Sequence, residues 1–237
     1  MLFKKAILII HGFAGGTYDQ EDLANYLELN RIFDVYQFTL PGHDKNLSKV
    51  KYQDWIKASE EKVEMLIKNG YNNIYVIGHS MGGVIATYLA TKYKQIKKLV
   101  LAAPAFHYLN VINEEINIKD SLKTLPKIID TYKDELIGRI LKLDMSATKE
   151  LMLLVRHYYN TPKDVICPVL ILQGDEDNIV PPSSSEYVYN ELNKNEKKLV
   201  YIKGANHEVF KSEKKEQIFE IIDEFLKHNT LGGIDNI

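Results

Sequence analysis

The stretch Gly78-His79-Ser80-Met81-Gly82-Gly83 holds the residue types a covalent catalyst needs. A serine hydroxyl is a weak nucleophile unless it is presented in a sharp turn beside a base. The apolar run Ile74–Ile77 precedes it and a helical pattern opens near Gly82, so the stretch sits at a strand–turn–helix junction. Gly-x-Ser-x-Gly in that context is a nucleophile elbow. Glycine on either side lets strand and helix approach closely while Ser80 takes a strained conformation.

Such a serine needs a base, and the base needs an acid to orient it. Of seven histidines, His11 and His79 lie inside glycine turns, and His43 lies in the turn "PGHDKN". His107, His157 and His228 fall in or beside a helical segment or at a helix end. His207, in "KGANHEVF", follows a strand-like run and precedes the last helix, where chain order serine, acid, histidine puts the base. Between Ser80 and His207 lies "GDEDNIVPP", with Asp175, Glu176 and Asp177 in succession. Chain order places the acid in this loop and leaves the three open. Two backbone amides complete the constellation: that of Met81, after the nucleophile, and that of Phe13, in the glycine-rich loop "HGFAGG". That loop lacks the Gly-Lys-Ser/Thr ending of a phosphate loop and does not match Gly-x-Gly-x-x-Gly.

The elements that must position these groups are legible as alternation. Ala6–Ile10, Val35–Leu40, Ile74–Ile77, Leu99–Ala102, Val169–Leu172 and Leu199–Ile202 are short Ile/Val/Leu-rich runs expected to be buried strands. Helical patterns cover Gln20–Glu28, Tyr52–Lys68, Gly82–Tyr93 and Ser184–Asn193. A last helix carries Ile218, Ile221, Ile222, Phe225 and Leu226 on one face, with Ser212 as expected N-cap. Alternation of this kind predicts an α/β fold with a mainly parallel sheet flanked by helices. From Phe106 to Asp164 the rhythm breaks: no strand-like run occurs, and helices are expected over Leu122–Leu143 and Ala147–Tyr159. We expect residues 1–105 and 165–230 to form the core, 106–164 a helical cap insertion, and 231–237 a fraying tail.

Composition narrows the function. The 237 residues carry 30 basic and 32 acidic side chains, a net charge of −2, with no basic block suited to nucleic acid. Lys4 and Lys5 before an apolar run imitate a secretory signal, but His11 interrupts it too early. No run approaches the roughly 20 apolar residues of a membrane span. A soluble, cytoplasmic protein without stable membrane insertion is expected. Cys167 stands alone, and neither a metal site nor a cofactor motif is present in the pattern.

With "LIIHGFAGG", "LPGHD", "VIGHSMGGVIA", "VLILQGDEDNIVPP" and "GANHEVF" placed, the chain resembles the α/β-hydrolases from about Lys5 to Leu226. It is most similar to the small bacterial carboxylesterases and monoacylglycerol lipases. The resemblance implies an α/β-hydrolase fold with a short helical cap and a Ser80–Asp177–His207 triad. Asp177 follows from the family's Gly-x-x-Asp register, with Asp175 as its rival, and the oxyanion donors fall on Phe13 and Met81. It implies a small ester or lipid substrate and no cofactor. The same fold also serves thioesterases, amidases, carbon–carbon hydrolases and serine aminopeptidases, and some members only bind ligands. For an aminopeptidase, Glu114 and Glu115 are the candidate partners of the substrate amine.

Overall fold

The computed structural model describes residues 4–29, 32–43, 47–107, 111–112, 115–116, 145–193, 196–228 and 233–237. Strands β1 (Lys5–Ile10), β2 (Asp34–Gln37), β3 (Asn73–His79), β4 (Ile96–Ala102), β7 (Val169–Gly174), β8 (Lys197–Ile202) and β9 (Ile234–Asn236) make one sheet. Its order is β2-β1-β3-β4-β7-β8-β9, and every pairing is parallel. The helices are α1 (Glu21–Leu29), α2 (Tyr52–Lys68), α3 (Met81–Lys92), α4 (Met145–Tyr158), α5 (Pro182–Glu191) and α6 (Lys215–Lys227).

Side chains alternate across a strand, so a strand buried on both faces feeds two cores. Leu8, Ile10, Ile74, Val76, Leu99, Leu101, Val169 and Ile171 join one, with Trp55 and Val63 of α2 and Val84 and Leu89 of α3. Ile7, Ile9, Ile77, Val100, Leu170, Leu172 and Val200 join the other, with Leu23 and Leu27 of α1 and Ile218, Phe219 and Ile222 of α6. Apolar runs of four to six residues are therefore continuous rather than alternating.

Two tertiary caps tie helices to distant chain. Glu150 of α4 accepts the Tyr52 N–H at 3.1 Å and the Lys51 ammonium at 3.0 Å, neutralising the start of α2. Ala147, Leu151, Leu154 and Val155 put α4 in the same core as α2 and α3. On the other face, Lys98 of β4 is buried and gives its ammonium protons to the carbonyls of Phe225 (2.7 Å), Leu226 (3.2 Å) and His228 (2.9 Å). It thereby caps the C-terminal end of α6, where orphan carbonyls favour a cation.

Three expectations need correction. The chain end does not fray throughout: Ile234–Asn236 pairs with β8, and Lys198 bridges Asp235 at 2.5 Å. Ser212 does not cap α6, because its hydroxyl turns back to the Val209 carbonyl (2.9 Å) and the helix starts at Lys215. Between Phe106 and Asp164 a small antiparallel pair exists, β5 (Val111–Ile112) with β6 (Glu115–Ile116). The helix expected over Leu122–Leu143 lies outside the described residues, whereas that over Ala147–Tyr159 is α4.

Candidate active site

Ser80 stands between the end of β3 and the start of α3 with φ 54° and ψ −118°. A non-glycine residue held at such a dihedral costs roughly 1–3 kcal/mol, so the surroundings must fix it. They do so through its backbone: the Ser80 N–H donates to Ala102 (2.9 Å), and its carbonyl accepts from Gly83 (2.9 Å) and Ala105 (3.2 Å). A Cβ at Gly82 would overlap the carbonyl oxygens of Ile10 and His11, so only glycine lets α3 start this close to β1. A Cβ at Gly12 would stand 3.1 Å from that of Ser80, so the glycine-rich loop lies directly against the elbow.

Asp177 and His207 meet across two other loops. Asp177 Oδ2 accepts the His207 Nδ1–H at 2.8 Å, and both side chains are almost wholly buried. Asp177 Oδ1 takes the amides of Ile179 and Val180, each at 2.9 Å, and Oδ2 also takes a Gln173 Nε2–H at 3.2 Å. Burial alone would raise the Asp177 carboxyl pKa. The neighbouring His207 and these hydrogen bonds outweigh it and hold the group below its ordinary value. Asp175 and Glu176 are exposed; Asp175 accepts the Gly204 amide at 2.7 Å. Of the three acids, only Asp177 reaches the imidazole among the described contacts.

Sequence reasoning missed two supports of this pair. Gln173 is fully buried and also bonds the carbonyls of Gly174 and Val180, while its Oε1 accepts from Ser185 at 2.7 Å. A polar residue closing the apolar run Val169–Leu172 was the available signal. Gly174 brings the loops together: a Cβ there would overlap the carbonyls of Ala205 and Asn206.

The other histidines are occupied differently. His79 donates through Nε2 to the His207 carbonyl at 3.0 Å, and their rings lie 4.9 Å apart. Burial lowers the His79 pKa. His11 donates Nδ1–H to Gly12 (2.8 Å) and accepts the Leu40 amide at Nε2 (2.9 Å); burial pushes its pKa down to about 4. His43 donates to the Pro41 carbonyl at 3.3 Å and packs edge-on to His11, Phe13 and Trp55. Burial, with His11 adding to it, takes it down to about 3. These three are neutral spacers near neutral pH. His107 contacts Tyr159 (3.0 Å), His157 lies against Tyr52, and His228 faces Glu224 at 3.9 Å.

Phe13 is buried, its ring against Trp55 at 6.0 Å, which anchors the glycine-rich loop. Met81 opens α3, where no preceding helical carbonyl exists to take its amide proton. Glu114 lies outside the described residues, and Glu115 is described only as part of β6. Among the described residues, no helix is long and apolar enough to cross a membrane.

Comparison with known proteins identifies the family. The family described as serine aminopeptidase, S33, matches residues 3–215. A thermostable monoacylglycerol lipase of Bacillus sp. (strain H-257) is 26% identical over 85% of this chain and 82% of that protein. A carboxylesterase of Bacillus subtilis (strain 168) is also 26% identical, over 94% of this chain and 92% of that one. The crystal structure of a monoacylglycerol lipase from Paleococcus ferrophilus superposes with a TM-score of 0.73 at 22% identity, covering 95% of each chain. The chain belongs to the serine aminopeptidase S33 family and is an α/β-hydrolase enzyme related to esterases and monoacylglycerol lipases.

Proposed function

We propose that the protein is a serine hydrolase that cleaves carboxylic esters of short or medium acyl chains, or monoacylglycerols, through an acyl-enzyme. One observation carries the reading: a buried, ionised Asp177 holds the Nδ1–H of His207 at 2.8 Å beside an elbow that presents Ser80. An ionised carboxylate only accepts, so Nδ1 carries the proton and Nε2 is the basic nitrogen. Ser80 Oγ attacks the ester carbonyl and its proton passes to His207 Nε2. The oxyanion that forms takes hydrogen bonds from the Phe13 and Met81 amides. Collapse expels the alcohol, which leaves with the His207 proton. Water then attacks the acyl-enzyme with His207 again as base, releasing the acid and restoring the serine.

Residues 106–164 are read as the cap that receives the acyl group, given their Leu and Ile at helical spacing. A cytoplasmic setting and a small ester or lipid substrate, rather than nucleic acid, complete the reading. The names of the Bacillus relatives support the ester class. The family description favours a second reading, an aminopeptidase on the same triad.

Hydrolysis of p-nitrophenyl esters from C2 to C12 by wild type and Ser80→Ala tests the proposal, with aminoacyl-p-nitroanilides alongside. Ester cleavage that drops by at least about a thousandfold in Ser80→Ala is the expected result. Cleavage of the anilides alone would select the second reading, and ester turnover surviving Ser80→Ala would sink the first.

A further inference from the structure

A buried carboxylate outside the triad joins two loops that are distant in sequence. Asp19 lies in the 3-10 turn Thr17–Gln20, directly after the glycine-rich loop His11–Gly16. Its side chain is 4% exposed, Oδ2 accepts the Gly16 amide at 3.1 Å, and Oδ1 accepts the Lys211 ammonium at 2.7 Å. Lys211 closes the 3-10 turn Val209–Lys211, which begins two residues after His207, and it also meets Glu208 at 3.1 Å. Burial works against the Lys211 ammonium, but the Asp19 and Glu208 carboxylates beside it raise its pKa above the usual lysine value.

Energetics do not explain this pair as a mere stabiliser. Asp19 is almost wholly buried while the Lys211 side chain stays partly exposed, so the carboxylate bears a desolvation cost and solvent screens the attraction that offsets it. Geometry supplies a reason. Gly12, Gly15 and Gly16 leave the loop little intrinsic stiffness, and Ala14 within it holds a left-handed φ of 59°. Donor amides act on an oxyanion only when they are fixed before it forms. His79 fixes the base loop to the elbow through the His207 carbonyl, and Lys211 fixes the same loop to Asp19.

We infer that Asp19 and Lys211 form an ionic clasp that sets the oxyanion loop in register with the loop carrying the general base. Both are positioning residues for the hydrolytic reaction. The inference rests on the proposed roles of Ser80, His207 and Phe13. A clasp of this kind acts on the transition state more than on substrate binding, so it changes kcat rather than KM.

Steady-state kinetics of Asp19→Asn, Lys211→Met and the double variant on one p-nitrophenyl ester, each well below its own Tm, provide the test. Asp19→Asn keeps an oxygen to accept the Gly16 amide, but it removes the charge and turns an amide N–H toward the Lys211 ammonium, which breaks the clasp. Lys211→Met keeps the aliphatic stem at a partly exposed position, and it carries the test if Asp19→Asn does not fold. Each single variant should lose on the order of tenfold in kcat, a modest share of what misplacing a catalytic group can cost. KM should stay within about twofold, and the double variant should lose no more than the worse single, since the two residues act as one contact. The inference is overturned if kcat stays within about twofold of wild type while Tm falls, if the loss appears in KM alone, or if the two losses simply multiply. Ser80→Ala separates the two levels: turnover there near the wild-type rate defeats the parent reading, while a Ser80→Ala reduced about a thousandfold or more beside fully active clasp variants defeats only the clasp.

Discussion

Both oxygens of Asp177 are committed, Oδ1 to two amides and Oδ2 to His207 and Gln173, while Asp175 serves one exposed turn amide. This asymmetry separates two substitutions that look alike on paper. Asp177→Asn leaves the shape intact but can present an N–H to His207, favouring the wrong tautomer. Turnover of a p-nitrophenyl ester should fall on the order of a thousandfold or more. Asp175→Asn still accepts the Gly204 amide and should keep kcat within about twofold; the opposite ranking would mean that the orienting acid is Asp175. Ser80, His207 and the acid loop could be proposed from sequence because each lies where a strand pattern gives way to a turn. The choice among three adjacent acids was not legible from chain order. It depends on which carboxylate a turn of three residues points inward, and only the family register indicated Asp177.

Elements proved readable where burial made them so. The span Tyr52–Lys68 was legible to the residue, since Trp55, Ile56, Val63 and Leu66 mark one face at helical spacing. Short strands left no such mark. All three residues of β9 are exposed, and β5 and β6 have two residues each, too few to show a period. The loops carrying Asp177 and His207 belong together as elements through Gly174, whose missing side chain leaves room for the carbonyls of Ala205 and Asn206. Gly174→Ala should push these loops apart. A shift near 1 Å at a catalytic group costs up to roughly a hundredfold, so kcat should fall by tenfold or more together with a lower Tm. Kinetics and a thermal melt on the same preparation check this, and an unchanged kcat would mean that the loops are held elsewhere.

For the molecule as a whole, the neutral buried histidines link stability to pH. An unfolded histidine binds its proton near pH 6.5, whereas folded His11 and His43 do so only at about 4 and about 3. Between those values the unfolded chain holds more protons. Their contribution is therefore complete above about pH 6.5 and is lost progressively as pH falls toward 4. The depressed Asp177 carboxyl adds a further loss below its ordinary value of 3.8. Tm should decline steadily from pH 6.5 to 4.5, and His43→Asn should make that slope shallower; melts across the range in one buffer ionic strength test it.

The ammonium of Lys98 has a further consequence at this scale. A ribosome delivers β4 well before residues 225–228, so for the interval between them Lys98 lacks the three carbonyls that accept its protons. Sealing the second core in that interval would bury a charge without partners. Closure of that face therefore waits for α6. A nascent chain halted before residue 228 should remain open to protease on the side of the sheet that α6 covers, even with the Ser80 elbow already synthesised.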